Sequence, residues 1–243
     1  MPTSAARNHS EVNDMKKILL VGDSIRMGYD AYVKESMQTL AEVYYPASNS
    51  AHSANILRFL HTWTDDLGLY EADAVHFNAG LWDTVRVYGD EPLIGADTYR
   101  VNMKRIVKRI RFLFPEAKLV FATSTPVLED GFIEAFETRR NCDVEAYNAI
   151  ACQVMAEEGV AVNDLYSLLR DVPSEYHSDQ THFYTAAATE LIGMQVNRVL
   201  CQVLGLDESR LTPPDPMRFH CPERYLGDKA AYEQRGHIYV RKK

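Results

Sequence analysis

The chain has 243 residues, 46% of them hydrophobic and 25% charged, which is enough to bury one sizeable core and carries no compositional mark of disorder. A formal net charge of -8, with no basic stripe, argues against nucleic acid as a partner and against other polyanions. No apolar run reaches the length of a membrane span, and residues 1–14 are polar and lack the apolar stretch of a secretion signal. A cytoplasmic protein without membrane contact is therefore expected.

Strand and helix patterns alternate along the chain. Lys16 to Val21 predicts a strand, followed by Gly22-Asp23-Ser24-Ile25-Arg26-Met27-Gly28 and a helix over Tyr29 to Leu40 with apolar positions at Tyr32, Val33, Met37 and Leu40. Ala41 to Tyr45 is a second strand, and Ser53 to Trp63 a helix that Ser53 can cap. Asp73 to Asn78 predicts a third strand. The helix Asp97 to Phe114 carries Val101, Ile106, Val107 and Ile110 on its apolar side and ends at Pro115. Lys118 to Thr123 is the fourth strand, Asp143 to Glu158 a helix stopped by Gly159, and Val160 to Asn163 the fifth strand. The last long helix runs from Thr185 to Leu204, with Gly205 as its stop.

Parallel neighbours need helical crossovers, so this rhythm predicts a flavodoxin-like three-layer α/β/α sandwich around a five-stranded parallel sheet. Thr84 to Ala96 and Ser124 to Asn141 are longer than ordinary connections and leave strand C-terminal ends, where ligands bind in open α/β sheets. Residues 1–14 read as a flexible segment, 15–205 as the domain, and 206–243 as a C-terminal extension ending in Ile238-Tyr239-Val240. That extension wraps the domain, pairs with a sheet edge or makes a homo-oligomer contact.

Ser24 falls on the first strand-to-helix turn, where a nucleophile belongs. Asp179-Gln180-Thr181-His182, just before the last helix, supplies a base for it. A serine hydroxyl is a weak nucleophile until a base takes its proton, and the base must be held in the right tautomer. Ser24 as nucleophile, His182 as base and then acid, and Asp179 as orienter meet that need. Donors for an oxyanion are sought at the ends of the first three strands: the Ser24 N–H, a backbone N–H near Ala51 and the Asn78 side-chain amide. The competing structural readings are Ser24 as a helix cap and His182 as a core histidine. A metal site with Asp23 is disfavoured because no second His or Cys stands at ligand spacing, and Cys142, Cys152, Cys201 and Cys221 lack zinc-type pairing and read as free thiols.

Gly22-Asp23-Ser24-Ile25 together with Asp179-Gln180-Thr181-His182 resembles the first and fifth blocks of the SGNH/GDSL hydrolase superfamily over roughly residues 16–204. The resemblance implies the three-layer fold and an esterase, lipase, thioesterase or deacetylase that uses no cofactor. Two blocks depart from the family pattern. Asn49-Ser50-Ala51-His52-Ser53 has no glycine where the second block supplies an oxyanion N–H, and Gly80-Leu81-Trp82-Asp83 places Trp82 where the third block has its asparagine. Asn78 is the nearest substitute, and Asn49 a second amide. Arg26 either meets a substrate carboxylate or phosphate, or pairs with Asp83. Trp82 and Trp63 either stack on a sugar face or pack in the core. His52, His61, His76 and His177 read as ordinary.

The expected activity is removal of a short acyl group, foremost acetyl, from a hydroxylated small molecule such as a sugar. An acyltransferase using the same acyl-enzyme and a binding module that has lost turnover are the alternatives.

Overall fold

The computed structural model describes residues 15–133, 136–224 and Gln234; the N-terminal segment 1–14 and the Ile238-Tyr239-Val240 run lie outside the described residues. The elements in chain order are β1 (Lys16–Val21), α1 (Arg26–Ser36), β2 (Ala41–Tyr44), α2 (Ser53–Asp66), β3 (Ala74–Phe77), β4 (Arg86–Val87) and α3 (Ala96–Leu113). They continue with β5 (Lys118–Ala122), β6 (Glu137–Thr138), α4 (Asn141–Glu158), β7 (Ala161–Asn163), α5 (Leu165–Leu169) and α6 (Ala186–Leu204). Five parallel strands form one sheet in the order β2-β1-β3-β5-β7, the flavodoxin-like order that the alternating pattern implies.

The alternation of β1 divides the core. Leu19 and Val21 enter one apolar cluster with residues of α2, α3 and α4, whereas Ile18 and Leu20 enter the other with residues of α1 and α6. Each such side chain removed from water contributes roughly 1.5–3 kcal/mol. The sheet is thereby covered on both faces, and the carboxyl ends of β1, β2 and β3 come together at one edge of the sandwich.

Several boundaries differ from the pattern. α1 starts at Arg26, two residues after Ser24, and stops at Ser36; Met37 and Leu40 remain buried but belong to a turn closed by Leu40 N–H to Met37 O (2.8 Å). α2 is capped by His52, whose Nδ1 accepts from Asn55 N–H at 3.2 Å, while Ser53 is the first helical residue. The two long connections are not independent loops: β4 from the first and β6 from the second pair antiparallel, Arg86 opposite Thr138 and Val87 opposite Glu137. Arg86 then ties this ribbon to α4 through Asp143, at 2.7 and 3.0 Å. Charge is also less evenly spread than the total suggests, because Lys104, Arg105, Lys108 and Arg111 lie exposed along α3; Lys104 and Arg111 are paired with Glu157 and Glu158 of α4.

The first part of the C-terminal extension packs back on α1 and the loop before α6. Thr212 N–H reaches Ser36 O (2.9 Å), Arg218 pairs with Glu35 (2.6 Å), and Cys221 N–H reaches Tyr184 O (3.0 Å). All four cysteines are free thiols, and no helix among the described residues is long and apolar enough to cross a membrane.

His76, in the middle of β3, is fully buried; its Nε2 lies 3.2 Å from Asn163 Nδ2. Burial lowers its imidazole to about 4. The unfolded chain binds this proton at an ordinary histidine value near ~6.5, so the contribution is complete above that pH and is lost as pH falls toward the folded value, by up to about 3 kcal/mol. Thermal melts between pH 7 and pH 4.5 should therefore fall more steeply for the wild type than for His76→Gln. Parallel slopes would contradict this assignment.

Candidate active site

Ser24 stands at the C-terminal end of β1 in a turn that its neighbours define. The Asp23 Oδ1 accepts from Ile25 N–H at 2.9 Å, closing the turn into α1. Gly22 is required by space: a methyl built there would stand 1.9 Å from Asn78 Oδ1 and 2.7 Å from Arg26 Cβ. Its carbonyl accepts from Ser50 N–H (3.1 Å), and Val21 O accepts from Asn78 N–H (3.0 Å), so the ends of β1, β2 and β3 are laced together by main-chain bonds.

The segment before α6 brings the imidazole to the hydroxyl. His182 Nε2 lies 2.8 Å from Ser24 Oγ, and His182 Nδ1 lies 2.8 Å from Asp179 Oδ2. The other carboxylate oxygen, Oδ1, accepts from the N–H groups of Thr181 (2.7 Å) and His182 (2.8 Å). Burial alone would raise the Asp179 carboxyl. The bond to His182, its charge and the two N–H groups outweigh burial and bring it down to about 2. Asp179 is thus an acceptor at any working pH, which assigns the Nδ1 proton to its side and leaves Nε2 to accept from Ser24. Tyr184, two residues on, donates its hydroxyl to Ser24 O and fixes the turn from beneath.

Asn78 is 5% exposed and its side chain lies against Gly22, at the edge of the same turn. Asp23 is fully buried; burial raises its carboxyl, opposed by the Ile25 N–H, the Asn78 side chain and the charge of His182. Ala51 takes a left-handed conformation, φ 48°, of the kind that favours glycine, and this accounts for the glycine expected in that block. Its N–H is already given to Asn49 Oδ1 at 2.8 Å. Asn49 therefore holds the loop, and the Ala51 N–H is engaged within the chain rather than open to a ligand.

Two pairings differ from expectation. Arg26 is 1% exposed and does not meet Asp83. Its guanidinium pairs with Asp30 and donates to Ser48 O (2.8 Å) and Gly22 O (3.4 Å), so it braces the nucleophile turn against the loop after β2 and is not placed to bind substrate at Ser24. Asp83 instead accepts from the N–H and hydroxyl of Ser53 at the start of α2; burial, the largest influence, raises it to about 6 in spite of those donors. Trp63 is 8% exposed and stacks on Phe59 in the α2 layer, away from the strand ends. Trp82 is half-buried under the Arg139 guanidinium, 5.7 Å from its ring centre, and Arg139 Nε donates to Leu81 O at 3.2 Å. Sequence reasoning missed Tyr184 and Arg139. Tyr184 had one signal, its place two residues after the histidine; Arg139 had none, because it reaches the site only through the β4–β6 pairing. Among the described residues, no group of three or more His, Cys, Asp or Glu side chains is placed to hold a metal ion.

A serine at the first strand end, an imidazole on its hydroxyl and a carboxylate behind the imidazole, on a flavodoxin-like sheet, define an α/β hydrolase of the SGNH type. The chain belongs to the GDSL-like lipase/acylhydrolase family, which it matches over residues 20–188, and is a carboxylic ester hydrolase. Similar solved structures include a lipase/acylhydrolase from Enterococcus faecalis, 21% identical over 82% of this chain and 99% of that one, with a TM-score of 0.61. The acetyl xylan esterase AlAXEase is 15% identical over 76% of this chain and 99% of that one, TM-score 0.59. Axe2, an acetylxylan esterase from Geobacillus stearothermophilus, is 17% identical over 79% and 95%, TM-score 0.56. At these identities the likeness bears on the fold. No curated protein matches the sequence.

The contact between Gly22 and Asn78 yields a prediction. Gly22→Ala should displace the Asn78 amide and lower kcat for an ester substrate by about 10²-fold, the scale on which a misplaced oxyanion donor is felt, with KM little changed. A folded variant, by circular dichroism, with wild-type kcat would show that Asn78 has no part in turnover.

Proposed function

We propose that the protein is a serine esterase that removes short acyl groups, foremost acetyl, from a small hydroxylated substrate such as a sugar. The observation that carries the reading is the continuous hydrogen-bonded chain from Ser24 Oγ through His182 to Asp179, each link 2.8 Å. Ser24 Oγ attacks the ester carbonyl while His182 Nε2 takes its proton, and Asp179 stabilises the imidazolium that results. The carbonyl oxygen becomes an oxyanion beside the Ser24 N–H and the Asn78 amide. As the carbon–oxygen bond to the alcohol breaks, Nε2 returns the proton to the leaving oxygen, giving free alcohol and acyl-Ser24. Water, deprotonated by Nε2, then attacks the acyl carbon, and the carboxylic acid leaves as Ser24 regains its proton.

The carbohydrate half of the reading is supported by the partly open Trp82, whose flat ring suits the apolar face of a sugar. Two similar structures are named as acetylxylan esterases, which supports acetyl as the acyl group.

Hydrolysis of p-nitrophenyl esters from acetate to octanoate tests the reading. Wild-type turnover should be greatest with acetate and fall with chain length, and Ser24→Ala should abolish it. Turnover surviving in Ser24→Ala would overturn the serine mechanism, and a maximum at octanoate would replace the deacetylase reading with a lipase-like one. Asn78→Ala should lower kcat by about 10²-fold at nearly constant KM, the pattern of a donor used mainly in the transition state. An unchanged kcat would remove Asn78 from the oxyanion site.

A further inference from the structure

Behind the nucleophile turn, on the side of α1 away from His182, the C-terminal extension closes a second cavity. It has a volume of about 320 Å³, at the lower end of the range that holds small ligands. Its walls come from the start of α1, the loop after β2 and residues 218–224, so it exists only because the extension packs across α1. Three arginines line it, Arg26, Arg218 and Arg224, against one carboxylate, Asp30. In a chain with a formal net charge of -8 this is a local reversal of sign.

The cations stand over aromatic faces. Arg26 lies 5.8 Å from the Tyr45 ring centre, Arg224 5.1 Å from Tyr184, and Arg218 5.6 Å from Phe219. Two of the charges are partly committed: Arg26 pairs with Asp30 at the floor, and Arg218 with Glu35 at the rim. Lys34, 5.6 Å from the Tyr45 ring, offsets Glu35. The floor also holds an unmet need. Arg26 is 1% exposed, yet its Nε is a buried donor without a hydrogen-bond partner. Buried donors left unpaired are uncommon, because each costs the desolvation of the group without the return of a bond.

We propose that this cavity is a binding site for a small organic anion, a phosphate or carboxylate head on a planar body, distinct from the ester site. The head lies between Arg218 and Arg224 over the positive floor of Arg26, and the body packs against Tyr45, Tyr184 and Phe219. Guanidinium groups suit such a head because their forked donors match phosphate and carboxylate oxygens. Two of the lining residues also brace the nucleophile: Tyr184 donates to Ser24 O, and Arg26 to Gly22 O and Ser48 O. An anion held here therefore touches the groups that fix the Ser24 turn from behind.

Phenyl phosphate is the probe, titrated calorimetrically into the full-length protein, with phenol as its neutral counterpart. Saturable binding with a Kd in the millimolar range or tighter is expected for phenyl phosphate and none for phenol. Arg218→Ala/Arg224→Ala should weaken binding at least about tenfold, since each loses charge-assisted contacts. Ala47→Trp, at the mouth of the cavity, should weaken it as well and leaves the arginines in place. The readout is binding, so the result stands apart from whether the ester site turns over. Absence of saturable binding, phenol binding as tightly as phenyl phosphate, or full affinity in both variants would overturn the proposal.

Discussion

The site depends on one close approach, the packing of Asn78 against a Gly22 that has no side chain. A single methyl at Gly22 would occupy the space of the Asn78 amide oxygen, so β1 and β3 come this near only because the residue between Val21 and Asp23 is glycine. That approach sets where the Ser24 hydroxyl points. The surrounding bonds act on the same few atoms: Asp23 on Ile25 N–H, Ser50 N–H on Gly22 O, Asn78 N–H on Val21 O, and Tyr184 on Ser24 O. With the turn held from several sides, the reacting hydroxyl sits on rigid strand ends and not on a free loop, the condition for a preorganised site.

Three buried carboxylates near this turn show how local donors decide a charge. Asp179 faces an imidazole and two N–H groups and is brought down to about 2, whereas Asp83, with the hydroxyl and N–H of Ser53, is raised to about 6 by burial. Asp23 is also raised, and burial is again the largest cause. The ordering follows from what each carboxylate meets: burial penalises all three, and the imidazole that can carry charge lies directly against Asp179. A carboxylate that stays ionised belongs behind the histidine. The other two are better suited to holding backbone, and their contacts with Ile25 and Ser53 do this.

Much of this was legible in the chain. The alternation of apolar runs with helical patterns led to the five-stranded parallel sheet, because each strand is buried on both faces and each crossover carries an amphipathic stripe. The serine, histidine and aspartate were legible from their places at a first strand end and before a last helix, and the family match accords with that reading. What escaped was set by contacts between distant segments. Arg26 and Asp83 look complementary in sequence, yet Asp30, one helical turn along α1, takes the guanidinium, and Ser53 takes the carboxylate. Ala51 was read as an open donor, but the side chain of Asn49, two residues before it, satisfies its N–H locally. The β4–β6 ribbon is two residues on each side, too short for any period to announce.

The central claim, that Ser24 is the atom on which the acyl group is carried, is tested most directly by trapping that intermediate. The protein would be mixed with p-nitrophenyl acetate, quenched in acid at times within the first turnovers, and digested for mass spectrometry. The account predicts one acetyl increment on the peptide containing Ser24, rising with the burst of p-nitrophenol and absent from Ser24→Ala. Steady ester turnover with Ser24 unmodified at every time, or an increment that turns over on another residue, would contradict it.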